Sequence, residues 1–528
     1  MLVLRLAIQF ANTIAETRSL WCNSRMPMDD ADALDLAAPD RASASVQPDH
    51  RSRTANNSIC RPTLLDQRLA IRKFVERALL DNVIPSQITH VTVPAPSIPV
   101  TTFLNLMPRA FSFTWNNPPS GVDCAGGGVT HHIAVSGAHR LKQLREQSEA
   151  LWKRVRVIHH PDACDYSPRL FGGLAFAAEE DQGGPWVEFG DGAFTLPRWT
   201  YGRRGGHNFL TLALCPDLEK PNWLDRVLAE FDGIFDVAES RRSFRNMPSE
   251  KVFAANETDI HQMPIQQWKA HLSKIRAAID SGEFLKIVAA RRCDVILPGP
   301  VNDIDVLDRL VMEKNCTHFA FRRAESTFVG ASPESLFVKS GSMLTTQALA
   351  GTCSRWSRGE THAARSAQLL ASSKDRAEHE FVVTAIRDAL APLCTSVKVA
   401  AAPEVIILRN ILHINTPFEA TVRPTTHVAD LLEALHPTPA VGGVPGHAAR
   451  DWIVKHEHGN RGWYSGPVGW LDMRGDAEFR VAIRCGVLNR SRAYVFTGAG
   501  VVSDSDDIAE YLETGLKQQP MLRALQVL

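Results

Sequence analysis

Apolar and polar positions along the chain change character near residue 89. Residues 28–62 are polar and rich in Ala, Ser, Asp and Arg, with no sustained period of 2 or 3.6, which reads as disorder or a linker. Residues 64–84 can hold one helix. From THVTVPAPSIPV onward apolar runs are dense. The stretch 136–158 carries an apolar stripe at Leu141, Leu144, Leu151 and Val155 and is expected to be helical. Short apolar-aromatic runs at 169–179 and 184–201, broken by Gly-Gly, Gly-Asp-Gly and Pro, predict antiparallel hairpins. A second helix is predicted over 265–282, stopping at Gly282.

Downstream, 326–352 reads as a three-strand meander turning at Ala331–Pro333 and at Gly341-Ser342. A helix follows over 374–393 with Ser372 or Ser373 as its cap, then strands across 463–502. A closing helix covers 509–525, kinked or broken at Pro520. Strands on short turns with inserted helices favour an α+β fold of large layered antiparallel sheets flanked by helices, over a doubly wound parallel one.

One strand breaks the pattern. FLKIVAARR (284–292) is apolar on both faces except for Lys286, which shares a face with Phe284, Val288 and Ala290. Burying an ammonium is costly unless it is paired or loses its proton.

Composition narrows the class. The chain has 528 residues with 58 basic and 58 acidic side chains, so no global charge draws it to nucleic acid or to an acidic membrane. Ten cysteines are scattered singly with no CxxC pair, which argues against structural zinc and for reduced thiols in a cytoplasmic setting. His131-His132, His159-His160 and the run Lys455–His458 lack ligand spacing. No P-loop, GxSxG or HExxH occurs, and no apolar run approaches the ~20 residues needed to span a bilayer. The first 25 residues are amphipathic but have no clean apolar core or cleavage site for secretion. A transit peptide, or a true start at Met26 or Met28, are both open readings.

Five further charged side chains invite a chemical reading, each beside a bland one. Glu334, in VGASPESLF, sits in a turn between apolar strands, where burial would raise its pKa towards that of a general acid. Taken alone, it reads first as a solvated turn glutamate. Glu378 shares part of the buried face of a helix with Val382. Glu513 has Lys517 at i+4, which reads either as a surface ion pair or as half of a carboxylate pair for a hard cation such as Mg²⁺. Arg484 ends FRVAIR and could clamp a carboxylate or face water.

In order along the chain, FLKIVAARR, GASPESLF, ALAGT, SSKDRAEHEFVV, LHPTPAVGGVP, WYSGPVGW, EFRVAIR and GAGVVSDSD…ETGLK resemble the chorismate-utilising family. Its members include isochorismate synthase, salicylate synthase and the chorismate-binding subunits of anthranilate and aminodeoxychorismate synthases. The resemblance is dense over 260–520 and weak upstream through FGGLAF. It implies a division into residues 1–62, an N-terminal part of the α+β fold at 63–255, and a chorismate-binding catalytic region at 256–528.

Within the family, Lys286 together with Ala350 points to water rather than ammonia as the nucleophile, and LHPTPAVGGVP is closest to the isochorismate-forming branch. The implied activity is conversion of chorismate to isochorismate. Salicylate synthesis and a catalytically inactive chorismate-binding protein are the alternatives. The resemblance implies Lys286 as general base and Glu334 as general acid, Glu378 and Glu513 on Mg²⁺, and Arg484 and Lys517 on substrate carboxylates. Backbone N–H groups near Gly498 and Gly500 would assist, and His436 and Thr352 would line the site. It implies a monomer or weak dimer acting on a small molecule, with no nucleic acid or membrane partner, in siderophore, menaquinone or salicylate biosynthesis. The chain departs from the family's pattern at Cys353-Ser354-Arg355-Trp356, at Asp507 and at Tyr511.

Overall fold

The computed structural model describes residues 64–527 apart from 82–83, 179–182, 217–220, 240–257 and 356–359. The expected linker at 1–62, the 255/256 division and Trp356 lie outside the described residues.

Two antiparallel layers share two long strands, Val122–Val135 and Gly192–Arg204. In the first layer the hydrogen-bonded order is Val155–His159, Ile88–Pro94, His207–Leu214, the later half of Gly192–Arg204, then the earlier half of Val122–Val135. It continues through Phe111–Asn117, Thr317–Arg323, Ser326–Ser332, Cys485–Asn489, Arg492–Val501 and Lys286–Ile296. In the second layer, the earlier half of Gly192–Arg204 leads to Arg169–Leu174, Pro467–Asp472, Ala477–Val481, Ser335–Ser340, Met343–Ser354 and Ile411–Val422. Strands from both ends of the chain therefore pair with one another, and helices flank the layers.

Apolar side chains from both layers fill the space between them. One cluster gathers Phe113, Trp115, Phe171, Phe321, Phe328 and Trp463. A second joins Phe194, Phe337 and Phe479 to Val382, Val383 and Ile386 of the helix Ser373–Leu390. That helix starts where Ser372 accepts from the Asp375 N–H, and Gly282, at φ +83°, follows the helix Ile265–Asp280 as expected.

Three expectations are corrected. The helix near 136–158 covers only Arg140–Trp152, and Val155 instead begins a strand parallel to Ile88–Pro94, since a β-branched run (VRVI) favours an edge of the sheet. The helix Asp507–Ala524 is not broken at Pro520 but runs on past it. The meander over 326–352 is broken: Ser335–Ser340 and Met343–Ser354 form a hairpin, but Ser326–Ser332 pairs elsewhere. The chain crosses between layers at Ser332–Glu334, and FRVAIR crosses beside it. The strand Ala477–Val481 stops short of Arg484, which sits at φ +52°. The Val481 N–H donates to the Glu334 carbonyl and the Ala331 N–H to the Arg484 carbonyl, so the two crossings brace each other.

Candidate active site

The paired crossings open into a cavity of about 210 Å³ whose walls are mostly charged or polar. Glu334, Thr352, Glu378, Arg484, Gly498, Gly500, Glu513 and Lys517 all line it. These positions lie up to 183 residues apart in sequence (334 to 517), and the fold brings them together.

Lys286 is 1% exposed and lies behind Glu378, which lines the cavity and whose Oε1 accepts from its Nζ at 2.7 Å. Glycine makes this reach possible. A Cβ on Gly500, opposite Val288 in the neighbouring strand, would stand 2.6 Å from the Lys286 Cε. Burial pushes the Glu378 carboxyl up, but the Lys286 ammonium outweighs it and holds the group below its ordinary range.

Glu513 is capped in the same way: the Lys517 Nζ lies 2.6 Å from its Oε1 and also donates to the Gly498 carbonyl at 3.1 Å. This i,i+4 pair faces the cavity, not the surface. One turn earlier on the same helix, Glu510 accepts from the Ser505 hydroxyl at 2.9 Å. Burial and the neighbouring Glu513 push it up to about 7.

Glu334 is 4% exposed and accepts one hydrogen bond, from the Thr438 hydroxyl at 3.0 Å. Burial raises its pKa to about 7 against the pull of Thr438, Arg484 and Lys286. The acid is thus poised to hold a proton near neutrality.

Arg484, which burial pulls below its ordinary value, donates to the His413 Nε2 at 3.3 Å. Burial, then Arg484, hold His413 well below its ordinary value, so the ring is neutral. With Nε2 accepting, the proton sits on Nδ1, which donates to the Thr352 hydroxyl at 3.0 Å. The Thr352 hydrogen is then free to point into the cavity.

Besides Lys286, which lies behind Glu378, His436 is the expected site residue that does not line this cavity. Its Nε2 lies 2.9 Å from the Ser465 carbonyl, and its ring faces two other clefts. Thr438, two residues on, takes the inward position. Sequence reasoning missed Thr438, Asp375, His413, Tyr464 and Glu510, all but Thr438 lining the cavity. Asp375 and Glu510 carried a readable signal, since each precedes a singled-out glutamate by three residues on one helix face. His413 carried none.

The donors fit a hard divalent cation. Glu378, Glu510 and Glu513 offer carboxyl oxygens to the cavity. No cluster of three or more metal-ligating side chains is preassembled among the described residues, so such an ion would complete its shell from water and substrate.

Fold and site together define an enzyme for a small, multiply anionic substrate. A family model for chorismate binding enzymes matches residues 73–526, and the chain belongs to that family. It is 37% identical over 406 residues to the salicylate biosynthesis isochorismate synthase of Pseudomonas aeruginosa, covering 76% of this chain and 82% of that one. It is 31% identical over 420 residues to the isochorismate synthase MenF of Bacillus subtilis, covering 78% and 87%. Among solved structures, a putative 2,3-dihydroxybenzoate-specific isochorismate synthase, DhbC, from Bacillus anthracis superposes with a TM-score of 0.63 at 25% identity, over 81% of this chain and all of the other. MenF from Escherichia coli shares the fold, with a TM-score of 0.69 at 24% identity over 87% of this chain and all of the other.

Proposed function

We propose that the protein is an isomerase that converts chorismate to isochorismate, adding water at C2 and expelling the C4 hydroxyl. The observation that carries this reading is a fully buried lysine, Lys286, and a proton-holding carboxyl, Glu334, served by one cavity. Lys286 takes a proton from the attacking water as its oxygen bonds to C2. The ring double bonds shift, the C4–O bond breaks, and Glu334 gives its proton to the departing hydroxyl. Water enters and water leaves, so no other reactant is consumed.

Glu378 and Glu513 would hold Mg²⁺, which when bound neutralises the ring carboxylate. Lys286 is held by Glu378 in the ligand-free protein. Glu378, in turning to a cation, would release Lys286, and the lysine would then give its proton to solvent and serve as the base. Arg484 and Lys517 neutralise substrate carboxylates, and the Thr352 hydroxyl orients the ring. The eight described cysteines are all free, in keeping with a cytoplasmic enzyme.

Incubation of the purified protein with chorismate and Mg²⁺, followed by chromatography, tests the reading. Isochorismate is the expected product. Salicylate with pyruvate would move the protein to the salicylate-forming branch, and unchanged chorismate would refute catalysis.

A further inference from the structure

The strand that carries Lys286 has an incomplete edge. On one side it pairs continuously with Arg492–Val501. On the other, Asp259–Gln262 covers residues 293–296, and Gly443-Val444 covers 286–287. Between these two partners the Val288 N–H donates to the Gly442 carbonyl at 2.8 Å, which leaves the Val288 carbonyl and the Ala290 N–H without a strand partner.

Side chains fill the gap. Glu457 Oε1 accepts from the Ala290 N–H at 2.7 Å, and Arg461 Nη2 donates to the Val288 carbonyl at 2.8 Å. The two side chains are joined to each other by two hydrogen bonds, Nε to Oε2 at 2.5 Å and Nη2 to Oε1 at 2.8 Å. They are only 5% and 6% exposed. Burial opposes the charge on Arg461, but Glu457 more than offsets it and holds the guanidinium above its ordinary value.

The third arm of the guanidinium reaches elsewhere. Arg461 Nη1 donates to the Val441 carbonyl at 2.8 Å. The Val441 and Gly442 N–H groups donate in turn to the Thr438 carbonyl, and the Thr438 hydroxyl holds Glu334. One planar group is therefore bonded two residues from Lys286 and, through the Thr438 turn, to Glu334. Neither Glu457 nor Arg461 lines the cavity of Glu334.

We propose that Glu457 and Arg461 are positioning residues that set the separation between Lys286 and Glu334 for the reaction. This rests on the assignment of those two residues as base and acid. A buried ion pair often contributes little net stability, whereas this one fixes two backbone carbonyls and one N–H in place. The planar fork of arginine can hold two carbonyls and a carboxylate at fixed angles, which a lysine cannot do.

The test compares Arg461→Met, Arg461→Lys and Glu457→Gln with Arg322→Met. Arg322 forms an equally buried two-bond pair with Asp303, away from the cavity. Each variant is assayed for isochorismate formation with Mg²⁺, using material whose folded fraction is set by thermal melting. A base–acid misplacement near 1 Å costs about 10²-fold. Arg461→Met should therefore lose kcat on that order while KM for chorismate stays nearly constant, and its basic pH limit should move upward as Thr438 loosens. Arg461→Lys should recover part of the loss. Arg322→Met should lose thermal stability with kcat intact.

Should Arg461→Met fail to fold, Glu457→Gln carries the test, because it keeps an acceptor for Ala290 but replaces the acceptor of Arg461 Nε by an amide donor; it should lower kcat without changing KM. Unchanged kcat and pH limit in whichever of these two variants folds would overturn the proposal. So would equal losses of kcat in the Arg461 and Arg322 variants. An inactive wild type would refute the reaction, whereas an active wild type with unaffected positioning variants would refute this pair alone.

Discussion

Glu334 and Glu478 are both buried glutamates, 4% and 1% exposed; Glu334 immediately precedes the strand Ser335–Ser340, and Glu478 lies opposite Val338 in the strand paired with it. Their surroundings differ. Glu478 Oε1 accepts from Trp115 Nε1 at 3.3 Å, Asn117 Nδ2 at 2.7 Å and Arg480 Nη2 at 3.2 Å. Glu334 accepts one hydroxyl. A carboxyl surrounded by N–H donors is spent on hydrogen bonds that join neighbouring strands. A carboxylate given one neutral donor, with cations kept at a distance, keeps a proton and remains able to release it. On the proposed function the same residue type is structural at one position and chemical at the other, and the number of donors within reach separates them.

The largest expected effect tests the chemical side. Lys286→Ala should remove the base and abolish turnover, a loss of at least about 10²–10⁴-fold. Chorismate binding, followed by calorimetry, should survive, and near-wild-type isochorismate formation would sink the assignment.

Glu334→Gln and Glu478→Gln then set the comparison directly. Glu334→Gln should cost about 10²–10⁴-fold in kcat. It should also change the pH dependence of stability. The unfolded carboxyl ionises near its ordinary value, whereas the folded one keeps its proton to about 7. Wild-type stability should therefore decline as pH rises through that window, and the glutamine variant should lose this decline. Glu478→Gln should instead cost about 1–3 kcal/mol in denaturant titrations, because its buried donors lose a carboxyl acceptor, with activity per folded molecule retained. If Glu478→Gln abolishes activity without loss of stability, the distinction fails.

A smaller effect concerns the cation. Glu378→Gln or Glu513→Gln should raise the Mg²⁺ concentration needed for half-maximal activity by about tenfold or more, as loss of one charged ligand weakens a site of few protein donors. Unchanged Mg²⁺ dependence in both would remove these residues from the metal.

The smallest is a shift in pH. The Thr438 hydroxyl stabilises the charged form of Glu334, so Thr438→Val should raise its pKa. The alkaline fall of kcat/KM should then move to higher pH. A shift to lower pH would contradict the donor role.

Much of this was legible along the chain. Lys286 stood out because one cation interrupted an apolar strand, and Ser372, Gly282 and the Gly341-Ser342 turn carry their own local geometry. The failures came where neighbours in space outvoted neighbours in sequence. Val155 continued a helical stripe but found a parallel partner in Ile88. Ser326–Ser332 and Ser335–Ser340 looked like one meander, yet each found its partner in another segment.

By itself the sequence determined residue chemistry, local caps and turns, and the ordered motifs that mark the family, because these depend on side chains a few positions apart. Only the tertiary structure decided that Thr438 and not His436 faces Glu334, that His413 joins Arg484, and that Lys286 lies behind Glu378. Those contacts depend on two crossings bracing each other between layers, and pairings of that range have no period or spacing in the chain to announce them.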